Sequence, residues 1–273
     1  MERKDLYKLK LTISTILGLI VIGCFYIINV DAIVEGFSTT EGMIYVVLIE
    51  IFLIVCISSM TVYMFHEWFK QEMQYLSDLP FLFAAFFLFL VFGKILDLLF
   101  FLTFFTLGDL MTLLLMKARW LIGVLTVLPM LFLSIGMLLY YLSLKEKFDN
   151  LKNEEYRDKL RVVLLAIIIF MEIIAIILAP NIDAVLLLLP LFVVPSLIMI
   201  VWLFYFSWKN KALPKVNSKI LTIGFFMILI SQFIRPLIHN SFGNETIYVV
   251  TTEIFSICVF TVIFIGFYKK PKF

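Results

Sequence analysis

The chain has 273 residues, 63% of them hydrophobic, with a mean hydropathy of +1.09 and a formal net charge of +2. Soluble domains are roughly 45–50% apolar, and here the excess runs along the whole chain, which excludes a globular domain on one anchor and implies an all-α, polytopic membrane bundle. So small a net charge carries little information beside the placement of the individual charges, and it gives no reason to expect a nucleic-acid partner.

Taken in order, the N-terminal segment MERKDLYKLK carries the charge of a secretory leader. The apolar stretch behind it is of spanning length and no small-residue cleavage site follows, so it is expected to be the first membrane helix. Apolar stretches then recur at 11–30, 43–65, 81–107, 119–144, 162–180, 185–208, 220–238 and 247–268. Each is near or above the ~20 residues a spanning helix needs. The expectation is about eight transmembrane helices in a single transmembrane domain over 1–273, with no soluble domain. The boundary after residue 107 is the least sharp, because GDLMTLLLMKAR is still apolar enough for an interfacial helix or a re-entrant piece. Pro129, Pro190 and Pro195 fall inside spans, where proline kinks a helix.

Lys and Arg mark the cytoplasmic side of a membrane protein. The N-terminal tail holds Arg3, Lys4, Lys8 and Lys10, loop 66–80 holds Lys70, and loop 145–161 holds Lys145, Lys147, Lys152, Arg157, Lys159 and Arg161. Loop 209–219 holds Lys209, Lys211, Lys215 and Lys219, and the tail holds Lys269, Lys270 and Lys272. The alternate loops hold none, apart from Lys117 and the adjoining Arg119 at 108–118. This alternation predicts both termini in the cytoplasm and a sequon, Asn244-Glu245-Thr246, outside.

Six ionisable residues lie within the spans: Glu50, Lys94, Asp97, Glu172, Arg235 and Glu253. A charge at the bilayer centre costs ~2.5–3.5 kcal/mol on insertion scales, so such residues face a bundle interior or a wet cavity. Lys94 and Asp97 stand at i and i+3, on one side of the third helix, around which the rest is expected to pack. Segment 44–52 reads IYVVLIEIF and 247–255 reads IYVVTTEIF, identical at seven of nine positions. Each match opens a helix and sets a Glu about two turns from its start. Four acids against two bases predict an acid that is protonated or meets a cation.

Several chemistries are absent. His66 and His239 sit at helix ends on opposite sides, which does not suit a bis-histidine haem, and the last helix has no lysine before Lys269 for a retinal Schiff base. No HExxH motif, Gly-rich phosphate loop or nucleophile triad is found. Cys24, Cys56 and Cys258 have no metal spacing and read as small buried hydrophobes. The sequence therefore implies no cofactor, no metal and no catalytic set. It predicts a multi-pass protein of the cell membrane with an outward-facing buried polar site formed by Glu50, Lys94, Asp97, Glu172, Arg235 and Glu253. One reading is a carrier for a small ion or solute, whose binding depends on pH if Glu50 and Glu253 share a pocket with Asp97. A second is a receptor-like sensor that signals through a cytoplasmic protein docked on 145–161. A third is a membrane-embedded lipid-modifying enzyme. An internal set of structural salt bridges competes with all three.

Overall fold

The computed structural model describes residues 3–242 and 245–269; the side chains at 3, 146, 189–190, 235–242 and 245 lie outside that description. The described residues form helices and turns with no strand. Among the described residues seven helices are long and apolar enough to cross a membrane: Lys4–Ile28, Met43–Phe69, Leu79–Thr103, Asp109–Ser143, Glu154–Leu178, Ile182–Asn210 and Thr246–Tyr268. A shorter apolar stretch, Ser218–Ile234, belongs to a helix that runs on to Phe242. The chain is thus a multi-pass, all-α membrane protein. It divides into two compact units, residues 1–126 and 127–273.

In the first unit the chain forms α1 (Arg3–Ile28), α2 (Val30–Thr39), α3 (Met43–Phe69), α4 (Leu79–Thr103) and the first part of α5 (Asp109–Ser143). α4 is the buried element: Leu82–Phe87, Val91, Phe92, Lys94, Leu96, Asp97, Leu99, Leu102 and Thr103 are all sequestered. α3 lies along it, burying Val46, Glu50, Leu53, Ile57, Thr61 and Met64 at helical spacing. The turn between them is fastened by Asp78, whose Oδ2 accepts from Tyr75 N at 2.8 Å and from Trp68 Nε1 at 3.2 Å. Trp68 packs at 4.8 Å on Phe81. On another face of α4, Ile22 of α1 and Leu115 of α5 close over Phe92, Leu96 and Leu99.

Two stretches depart from the boundaries read in the sequence. Residues 31–42, a loop in that reading, are mostly α2. Its Gly36 lies against the carbonyl of Leu102, where any Cβ would collide with that oxygen. Thr106 Oγ1 donates to Ala32 O at 2.9 Å and holds the end of α4 beneath α2. Residues 109–118 are neither a separate interfacial helix nor a re-entrant piece; they are the first turns of α5, which spans 35 residues. At ~1.5 Å per residue α5 is about 50 Å long, well beyond a ~30 Å hydrocarbon core.

The second unit holds the rest of α5, a 3₁₀ turn (Glu146–Lys152), α6 (Glu154–Leu178), α7 (Ile182–Leu188), a π-turn (Leu189–Val193), α8 (Val194–Asn210), α9 (Ser218–Phe242) and α10 (Glu245–Tyr268). Pro190 falls in the π-turn and Pro195 at the start of α8, so the irregular backbone sits where the sequence predicts kinks. The charged stretch before α6 is helical from Glu154 because Asn153 caps it, accepting from Tyr156 N at 3.2 Å, and two glutamates follow at the positive end of the dipole. α9 packs between α8 and α10. Phe204 stacks on Phe225 at 5.2 Å, and Gly224 and Gly266 admit close approach to Ile263 and Leu221.

Candidate functional site

The first unit gathers Glu50, Lys94 and Asp97 and adds a residue the sequence reading left at a helix boundary. Lys94 Nζ lies 3.2 Å from Asp97 Oδ2 and 3.6 Å from Glu50 Oε1. Asp97 Oδ1 pairs in turn with Nε of Arg119. Lys94 and Asp97 meet because one turn of α4 separates them; Glu50 reaches Lys94 because it stands on the α3 seam that faces α4. Arg119 stands ~15 Å from the start of α5, and its guanidinium also lies 5.4 Å from the centroid of the Phe100 ring. Tyr26 of α1 completes the surroundings. Its hydroxyl donates to Ile95 O at 2.7 Å and lies within electrostatic range of Glu50 and Asp97.

Ion pairs join the four charged side chains in succession, Arg119 to Asp97, Asp97 to Lys94 and Lys94 to Glu50. Side-chain exposure falls from 32% at Arg119 to 11% at Asp97, 6% at Lys94 and 0% at Glu50. Acid and base alternate along this succession, so two carboxylates face two cations and the local charge balances. Within the first unit Arg119 offsets the second carboxylate; across all the spans, with Arg119 counted, the acids still exceed the bases by one. That residue was legible only through the length of α5. Because residues 109–118 continue the helix, Arg119 stands about three turns inside α5 rather than at its start.

The other site residues fall in the second unit. Glu172 is buried in α6, and its Oε2 has no hydrogen-bond partner among the described residues. Glu253 is buried in α10. The side chain of Arg235 and the sequon residue Asn244 lie outside the described residues. The matched segments at 44–52 and 247–255 share their burial as well as their letters. Val46 and Val249, Glu50 and Glu253, Leu53 and Ser256, and Ile57 and Phe260 are buried, while Ile44 and Ile247, Ile51 and Ile254, and Phe52 and Phe255 are exposed. The correspondence continues past the matched residues, and each Glu lies on the buried seam of its own helix.

Cys24 and Cys258 are exposed and Cys56 is half-buried, all as free thiols, where the sequence reading had them buried. Among the described residues no group of His, Cys, Asp and Glu is arranged to hold a metal ion. No family model, curated protein or solved structure matches the chain.

Proposed function

We propose that this multi-pass membrane protein handles a proton or a small ion and that Glu50, Lys94, Asp97 and Arg119 are its working groups in the first unit. The observation that carries the proposal is the line of decreasing exposure from Arg119 to Glu50. A structural tie needs one well-made pair. A graded chain in which Lys94 is shared between two carboxylates offers steps by which a proton or cation passes from a wet rim to a buried acid. Glu172, Arg235 and Glu253 are proposed as the ion-handling groups of the second unit, from their depth in the sequence and, for the two acids, their burial. With both termini cytoplasmic across eight spans, the end at which α3 begins and α4 ends faces outward, so the site opens to the outside of the cell membrane.

The sensor reading requires a partner on 145–161. There Asp149 pairs with Lys152 at 2.6 Å, Glu155 with Lys159 at 2.7 Å and Asp158 with Arg161 at 3.1 Å. Neighbouring acids thus already satisfy much of the basic charge, and this weighs toward the carrier. The test is flux into sealed vesicles holding the purified full chain, driven by a pH gradient or by Na⁺ or K⁺ gradients. Wild-type flux that disappears in Glu50→Gln, in protein that still folds and melts cooperatively despite a lowered melting temperature, supports the proposal. Flux equal to that of empty vesicles, or unchanged by Glu50→Gln, overturns it.

A further inference from the structure

We propose that Lys94 is a proton relay between Asp97 and Glu50, so that the ion handled in the first unit is the proton. The inference rests on the ion-handling reading of this site and names its substrate. It starts from the two oxygens of Asp97, which have separate partners: Oδ1 pairs with Nε of Arg119, and Oδ2 lies 3.2 Å from Nζ of Lys94. A guanidinium does not give up its proton in a protein, so Arg119 can only hold. An ammonium carries three donors and can lose one, and its flexible four-carbon stem lets it swing. Lys94 Nζ stands between Asp97 at 3.2 Å and Glu50 Oε1 at 3.6 Å. The first separation is a hydrogen-bonding contact and the second is just beyond one. A small swing of the stem therefore closes one contact as it opens the other.

A proton that arrives on Asp97 Oδ2 goes deeper in two transfers. Lys94 first gives an N–H proton to Glu50 Oε1, which becomes a carboxylic acid, and is left as the neutral amine. The amine then takes the proton from Asp97 Oδ2, which becomes a carboxylate again. The ammonium is restored, one proton has passed from Asp97 to Glu50, and no other reactant is consumed. Side-chain exposure of 11% at Asp97 and 0% at Glu50 sets that order. A metal cation has no such route. Hard cations take several oxygen ligands, and here the two carboxylates already face two tethered cations, so a metal ion would have to displace Lys94 or Arg119. Tyr26 of α1 lies within electrostatic range of both carboxylates, but its hydroxyl proton goes to Ile95 O at 2.7 Å, which leaves it beside the relay rather than in it.

The test uses the purified full chain in sealed vesicles, with an interior pH dye for protons and radiolabelled Na⁺ and Rb⁺ for metal cations. Wild type is expected to carry protons and to take up neither metal ion above the level of empty vesicles. Lys94→Arg keeps a positive charge between the carboxylates and removes the releasable proton. Its proton flux is expected to fall by about a hundredfold or more, in protein that still melts cooperatively. A role confined to holding α3 on α4 would leave the flux of that variant close to wild type. Wild-type proton flux is also expected to be slower in D₂O by more than solvent viscosity explains, a readout that needs no variant and serves if Lys94→Arg fails to fold. Proton flux retained in folded Lys94→Arg, no such slowing in D₂O, or uptake of Na⁺ or Rb⁺ would each overturn the relay while leaving ion handling standing. No flux of any ion above that of empty vesicles would remove the ion-handling reading and the relay with it.

Discussion

Asp97 is where Lys94 and Arg119 meet, so its removal strands more charge than loss of any other member of the line. Breaking one partner out of a buried ion pair costs ~3–5 kcal/mol, because the remaining charge stays buried without compensation. Asp97→Ala is accordingly expected to destabilise the protein by about that amount, and Glu50→Gln by less, since Lys94 keeps Asp97 at 3.2 Å. Denaturant or thermal melts of the two variants check the order; equal losses would show that Asp97 does not join the cations. At this scale the sequence was informative where depth could be counted. Glu50, Lys94 and Asp97 were legible because a charge inside an apolar run must find company. Arg119 was not, because hydropathy located the membrane core and the helix begins well before it.

The elements show the same limit. A helix continues into water wherever capping and propensity allow, so apolar windows mark the crossing and miss the ends. α6 starts at Glu154, not at 162, because of Asn153 and the acids of its first turn. α2 was hidden for a different reason: residues 31–42, with Asp31 and Glu35, lie between two apolar stretches and read as a loop, yet most of them form α2, which folds against α4 through Gly36. That contact gives a prediction. Gly36→Ala sets a methyl against the Leu102 carbonyl, a backbone group that cannot turn aside, and is expected to cost ~1–3 kcal/mol. Gly123 of α5 has no neighbour within 4 Å of a built Cβ, so Gly123→Ala should stabilise by ~0.5–1 kcal/mol through helix propensity. Melting temperatures that move in opposite directions would bear out the packing of α2 on α4; a neutral Gly36→Ala would count against it.

For the whole molecule the class was legible from composition, since nothing but a helical membrane protein accommodates so continuous an apolar chain. Its sidedness rests on the alternation of Lys and Arg. In a background of Cys24→Ala, Cys56→Ala and Cys258→Ala, an impermeant thiol reagent added to intact cells should label Ser38→Cys and spare Asn150→Cys, both at exposed positions. The reverse pattern would invert the topology and turn the site inward. The central claim is that the line from Arg119 to Glu50 works rather than merely holds. The most direct test is the double substitution Glu50→Gln with Lys94→Met, compared with wild type for melting temperature and for proton and cation flux in the same vesicles. Removing both members of a buried pair is often neutral for stability, whereas removing one is not. The account predicts near wild-type melting with flux abolished. Near wild-type melting with flux intact would contradict it and leave these charges as ties between helices.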